Sequence, residues 1–296
     1  MELRVLNYFL AIAREENITK AAQILHVTQP TLSRQIAQLE EELGVKLFQR
    51  SNHHIILTED GMILKRRAQE MMSLAEKTRM DLNHNEHDLT GKIAIGSGEF
   101  QSTAFLSALI HEFHQKHPLV KFSIYSGNAS NIRDYIERGF LDIGLMFEPI
   151  DISKYDFIST IYKETWGVLV KNDSDLIGKD FVTPEDLKAR PLIISSSEPA
   201  KLMLSKWFET SIENLNIVAD GNLLYNLAML VSKGIGTAVC IQLNCTYHDC
   251  TFIPLSPAVE AHSVLGWKKD QSFSRTTAAF LEFAKKYLKS ISDNVL

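Results

Sequence analysis

The chain has 296 residues, more than one hydrophobic core usually organises, and its 45% apolar and 23% charged content is that of an ordinary globular protein. With 31 Lys and Arg against 36 Asp and Glu the net charge is −5, so bulk charge gives no support to nucleic-acid binding. No run of eighteen apolar residues occurs, and the early charges of MELRVLNYFLAIAREEN argue against a secretory signal, so a membrane partner is not expected and a cytoplasmic location is.

In chain order, the first informative stretch is Ile18 to Leu43, ITKAAQILHVTQPTLSRQIAQLEEEL. Ile18, Ala21, Ala22 and Leu25 recur at helical spacing and share one face. His26, Val27 and Thr28 form a tight turn, where a residue often needs positive φ and histidine tolerates it better than most side chains. Thr28 is placed to cap a second helix, and Pro30 fits its first turn. That second helix buries Leu32, Ile36, Leu39 and Leu43. Its other side carries Gln29, Thr31, Ser33, Arg34, Gln35 and Gln38, amides, hydroxyls and one guanidinium suited to base edges and phosphates. A solvated surface face would be richer in Lys and Glu. The spacing predicts a helix-turn-helix that reads double-stranded DNA through the major groove. Charge does not help: residues 1–66 hold eight Lys or Arg and eight Asp or Glu.

Val45 to Phe48 lead into Arg50, Ser51, Asn52, His53, His54 and then Ile55 to Leu57, which reads as a small hairpin with a polar tip. Arg50 suits the narrow minor groove. Adjacent His53 and His54 would point to opposite faces of a strand, so no metal site is expected there. From Thr58 a helical pattern runs to about His87, with Leu64, Ala68, Met71, Ala75, Thr78 and Leu82 on a heptad-like seam. Roughly thirty helical residues span about 45 Å, too long to lie against a domain of about sixty residues, so the seam is expected to dimerise.

AAQILHVTQPTLSRQIAQLEEELGVKLFQR, followed after the hairpin by LTEDG, resembles the N-terminal module of the LysR-type transcriptional regulators, and a weaker likeness covers the whole chain. The resemblance implies that Gln29, Pro30, Thr31, Ser33 and Arg34, with Gln38, face DNA, that Arg50 supports the wing, and that the long helix pairs between subunits of a homodimer or homotetramer. One departure stands at the wing tip. His53 occupies a place where the family usually has a second basic residue, which would weaken the minor-groove contact or make it pH-sensitive.

Beyond Gly91 the pattern alternates strands and helices: strands at 92–96, 120–125 and 141–146, helices at 103–115 and 131–138. A second set has strands around 167–170, 192–195, 217–219 and 237–241, and helices near 201–208 and 223–232. A final helix over about 275–290 presents Ala279, Phe280, Phe283, Ala284, Tyr287 and Leu288 for burial. This order implies a mainly parallel α/β sheet. The resemblance supplies the rest: a two-lobed, periplasmic-binding-protein-like effector domain follows a winged helix-turn-helix and a linker helix. The domains are then 1–58, 59–88 and 89–296, with lobe one at 89–161 plus 268–296 and lobe two at 162–267.

A small-molecule metabolite is expected where strand ends meet helix N-termini. Ser97, Gly98, Phe100 and Ser102 follow the first strand, with Ser102 or Thr103 able to cap the next helix; Ser195 and Ser196 follow a strand of the other lobe, and Asn128 and Phe147 lie at neighbouring strand ends. Hydroxyls across a cleft suit a carboxylate; Glu99, if it points inward, disfavours an anion and favours a cationic or neutral ligand. The bland alternative is that these residues are only caps and turns. Cys240, Cys245 and Cys250, with His248, fit no common zinc spacing and read as reduced thiols. No nucleophile–base pair, phosphate loop or carboxylate dyad stands out, so neither a cofactor nor catalysis is expected. The alternative is a two-lobed binding protein or enzyme with an accessory helix module.

Overall fold

The computed structural model describes residues 1–51, 54–82, 88–147 and 153–295. They fall into two compact units, Met1–Asn83 and His84–Leu296, so the long helix groups with the N-terminal module.

The first unit opens with α1 (Leu3–Glu15), which drives Leu6, Phe9 and Ile12 into its core. α2 (Ile18–Ile24) is capped by the Asn17 side chain, which accepts the Lys20 N–H at 3.0 Å. Ala21 and Ala22 are buried, and their small size lets α3 (Gln29–Leu43) cross closely. At the bend His26 has φ +53°, as the turn requires. Thr28 then accepts the Thr31 N–H at 3.4 Å. Leu32, Ile36 and Leu39 are buried, each contributing about 1.5–3 kcal/mol of apolar burial.

Leu43 departs from expectation: it is exposed, because the chain turns away at Gly44, where φ is +70°. The buried residue of that last stretch is Glu40. The hairpin is present: β1 (Phe48–Ser51) pairs antiparallel with β2 (His54–Leu57), Arg50 opposite Ile55. α4 (Glu59–Asp81) starts tightly against it. Thr58 Oγ1 accepts the Gly61 N–H at 3.0 Å and donates to the Lys46 carbonyl at 2.6 Å. A Cβ on Gly61 would lie 2.1 Å from the Leu47 carbonyl oxygen, so only glycine lets the helix approach the wing base this closely.

The expected dimer seam needs correction at its start. Ala68 is fully buried in the module's own core, with Leu64 and Met72 packed beside it. Ala68 therefore belongs to the module's own core, while Leu64 and Met72 remain half-buried at its edge. The large apolar residues α4 leaves exposed include Met62, Ile63, Met71 and Leu74, with Leu82 just beyond its end.

The second unit contains β3 (Gly91–Ser97), α5 (Thr103–Lys116), β4 (Val120–Ser126), α6 (Ala129–Glu137), β5 (Ile143–Phe147) and β6 (Tyr155–Lys171). There follow α7 (Pro184–Leu187), β7 (Leu192–Ser195), α8 (Glu198–Trp207), β8 (Ile217–Gly221), α9 (Leu224–Ser232) and β9 (Thr237–Ile241). β10 (Cys250–Pro254), β11 (Glu260–Lys268) and α10 (Arg275–Val295) complete it. The strand order is β4-β3-β5-β11-β6-β9-β7-β8, with β10 also on β6. β3, β4 and β5 are parallel, as are β7, β8 and β9, while β6 and β11 run antiparallel to their neighbours.

β6 and β11 are the crossovers. The first part of β6, Tyr155 to Thr165, pairs with β11; from Trp166 it pairs with β9, and from Gly167 with β10. β11 pairs with β5 over Ser263 to Gly266. Strand partners thus change at about residue 165 on β6, while β11 pairs with the first part of β6 from residue 260 onward. Lobe one packs α5 and α10 on its sheet: Phe280, Ala284 and Leu288 are buried, and Phe113 meets Phe280 edge-on at 5.1 Å. Lobe two has its own core around Trp207, Phe208, Leu204 and Val239.

Candidate functional site

Gln29, Pro30, Thr31, Arg34 and Gln38 lie exposed along α3, with Ser33 half-buried between them. The residues expected to meet DNA on this helix therefore share one accessible face. The face is also pre-ordered: Gln29 Nε2 donates to Ser33 Oγ at 2.9 Å, and the Thr28 and Thr31 hydroxyls lie 2.8 Å apart. Among the described residues Arg34 has no carboxylate partner, so its five donors are free for a base edge or phosphate. Arg50 sits on β1 one residue from the hairpin tip; its side chain and the whole of His53 lie outside the described residues.

Glu40 is the residue the pattern did not reveal. Its carboxylate, 8% exposed as a residue, accepts the Leu47 N–H at 2.9 Å and the Phe48 N–H at 3.4 Å, and pairs with Lys46 at 2.6 Å. It fastens the end of the recognition helix to the first wing strand. Burial pushes the carboxyl up, but Lys46 and the two N–H groups outweigh that and hold it below the usual carboxylate range. In sequence it reads as one more member of an acidic run; only the four-residue spacing from Ile36 hints that it faces inward.

In the second unit the carboxyl ends of β3 and β8 approach each other. Ser97 is 3% exposed, and its hydroxyl donates to its neighbour, the Gly98 carbonyl, at 2.7 Å. A Cβ on Gly98 would lie 2.2 Å from the Phe100 ring, so the glycine lets that ring fold back over the loop. Phe100 meets Phe147 with centroids 4.2 Å apart, which brings two of the expected cleft residues together. Asn128 caps α6, accepting the Asn131 N–H at 2.9 Å; Ser195 Oγ accepts the Ser197 N–H at 3.3 Å. Those polar atoms already have partners. The Ser196 backbone N–H donates to Gly221, and its side chain is partly exposed.

The expected cap of α5 is corrected. Ser102 makes no cap bond; instead Glu164, fully buried on β6, accepts the Gln101 N–H at 2.8 Å and the Ser102 N–H at 2.9 Å. The buried Ser102 hydroxyl makes no hydrogen bond among the described residues. Glu99 points inward, and its carboxylate accepts the Leu224 N–H at the start of α9 in the other lobe. Of the cysteines, Cys245 is exposed, while Cys240 is buried and burial pushes its thiol up to about 12.

Two family models match the chain: the bacterial regulatory helix-turn-helix of the LysR family over residues 3–62, and the LysR substrate-binding domain over residues 86–289. The transcriptional regulator AlsR of Bacillus subtilis is 30% identical over 281 residues, covering 91% of both chains. BudR of Raoultella terrigena is 27% identical over 296 residues, covering 95% of this chain and 99% of its own. Among solved structures, full-length CbnR bound to its target DNA superposes with a TM-score of 0.72 at 19% identity, covering 97% and 99%. Full-length BenM gives 0.54 at 22% identity, covering 99% and 97%. The chain belongs to the LysR family: it is a DNA-binding transcriptional regulator whose helix-turn-helix module precedes an effector-binding domain.

Proposed function

We propose that this regulator reads promoter DNA with the N-terminal half of α3 and alters its promoter occupancy when a small metabolite binds between the lobes of its second unit. The observation that carries the reading is the face Gln29–Pro30–Thr31–Ser33–Arg34, accessible, hydrogen-bonded within itself and backed by buried Leu32, Ile36 and Leu39. An amide held in place, as Gln29 is by Ser33, discriminates base edges better than a mobile one, because less side-chain entropy is lost on docking. Gln38, one turn further along, extends the base-reading face, and Arg50 on the wing is expected to reach the adjacent minor groove.

The regulator acts in the cytoplasm as an oligomer. Met71 at 41% and Leu82 at 67% exposure, with Ala75 between them and half-buried Leu64 before them, give α4 and the residue after it an apolar strip that a second copy would cover, now without Ala68. No helix among the described residues is long and apolar enough to cross a membrane. Closure of the lobes on the effector is the regulatory step, and no chemical conversion is part of it.

The test is a gel shift and footprint of the full chain on DNA upstream of its own gene. We expect protection of a two-fold-related site that weakens steeply as salt rises. Absence of a specific footprint, with and without cell-extract metabolites, would favour a two-lobed binding protein or enzyme instead.

A further inference from the structure

The second unit has two helix N-termini close to the cleft, and each already holds a carboxylate of this same chain. α5 receives Glu164 on the Gln101 and Ser102 N–H groups, and α9 receives Glu99 on the Leu224 N–H. A helix N-terminus carries the equivalent of about half a positive charge and is a ready site for an anion. Here that capacity is spent internally. Glu99 is also not locked away: it is partly exposed, on the loop after β3, and it reaches from lobe one to lobe two.

Its surroundings suit the opposite charge. Phe100 follows it directly in the same loop and packs on Phe147, so the loop that carries this carboxylate also carries an aromatic pair; a carboxylate and an aromatic face together recognise an ammonium group through ion pairing and cation–π attraction. Tyr247 stands near as well. Burial first, then its hydrogen bond to and the charge of Cys245, and only after these the negative charge of Glu99, push its phenol up, so it stays a neutral donor or acceptor. Ser102, in the same loop, brings a fully buried hydroxyl with no hydrogen bond among the described residues.

We propose that Glu99 sets the charge class of the effector, so that this cleft takes a ligand presenting an amine cation beside an apolar body and rejects a carboxylate. The proposal rests on the reading that the effector binds between the lobes. The Glu99 carboxylate does two jobs: it accepts the first N–H of α9, and with its partly exposed oxygens it presents a negative charge to the ligand's ammonium. A carboxylate ligand would have to expel Glu99 from α9 and bear its repulsion. An ammonium ligand would share it.

The experiment uses the full chain and two probes of matched shape, phenethylamine and 3-phenylpropionate, at fixed pH and ionic strength. Melting temperature and calorimetric titration are followed for wild type, Glu99→Gln and Glu99→Ala, with circular dichroism confirming that each variant is folded. Wild type is expected to bind the amine at least about tenfold more tightly than the acid. Glu99→Gln, which keeps the shape and an acceptor for Leu224, loses the preference. Glu99→Ala vacates the α9 N-terminus and reverses it, now being stabilised by the acid. Preference of wild type for the acid, an unchanged ratio in Glu99→Ala, or silence of all three proteins toward both probes would each overturn the proposal. Footprinting on the upstream DNA separates this from the parent reading: a protein that still protects its operator but shows no charge preference leaves the regulator intact and Glu99 without this role.

Discussion

The DNA-reading module and the effector-binding unit solve their polar groups in opposite ways. On α3 the polar side chains face outward and are left to bind: Gln29 and Ser33 bond only each other, and Arg34 stands unpaired among the described residues. At the cleft much of the polar inventory is used inside the chain. Ser97 bonds Gly98, Asn128 caps α6, Ser195 receives Ser197, and Glu164 closes α5. The first surface is built to be completed by a partner with its own donors and acceptors. The second is nearly satisfied, and what remains is an aromatic pair and one partly exposed carboxylate, Glu99, resting on the start of α9. A long helix exposes its outer side chains whatever the sequence around it, whereas loops at strand ends must first satisfy their own backbone.

Perturbing the two regions separately should break the comparison if it is wrong. The largest effect is expected from Leu32→Ala, a fully buried truncation costing about 2–5 kcal/mol. All three tryptophans, Trp166, Trp207 and Trp267, lie in the second unit. In urea, the variant should therefore lower the circular-dichroism transition of the first unit while the tryptophan fluorescence transition stays in place. Coincident shifts of both signals would show that the units do not fold independently.

Glu40→Ala comes next, at about 2–3 kcal/mol, since it leaves two largely buried N–H groups unpaired. Because the folded carboxyl is held below its ordinary value, its contribution is fully present above the unfolded pKa, near 4.5, and is lost as pH falls through the folded value. The urea midpoints of wild type and Glu40→Gln should thus diverge above about pH 5 and converge in stronger acid. A gap independent of pH would remove the ionised carboxylate from the account.

Gly98→Ala should cost less stability, about 1–3 kcal/mol, but displace the Phe100 ring from its fold over the loop. Effector or probe affinity should then fall several-fold with operator binding unchanged, measured by titration and gel shift. The smallest effect concerns the thiols. Ellman's reagent should titrate Cys245 at once and Cys240 only on unfolding, because the first is exposed and burial shields the second.

Most of the fold was legible where one physical period dominated. The helix-turn-helix, its His26 bend and Thr28 cap follow from 3.6-residue spacing and turn chemistry, and the strands at 192–195 and 237–241 from short apolar runs. β11 and the first half of β6 were missed because, as crossovers between lobes, their exposed and buried residues change face along the strand, so no single alternation marks them. Leu43, expected to be buried, and Ala68, expected on an open seam, lie elsewhere for a related reason. Periodicity says which face is apolar, and not which element will cover it. The cleft was the least readable part. Glu99 was legible as an inward-facing possibility, but Glu164 was not, because the pairing of a β6 carboxylate with α5 joins residues 62 and 63 positions apart.

The claim on which the account depends is that the outer face of α3 supplies sequence recognition. Quantitative footprinting of the full chain on its operator, comparing wild type with a Gln29→Ala/Arg34→Ala double variant of unchanged melting temperature, tests it most directly. The account predicts at least about a hundredfold loss of specific affinity, with weak binding to unrelated DNA largely retained, each lost base-edge contact being worth about 1–3 kcal/mol. An undiminished footprint at the same protein concentration would contradict it.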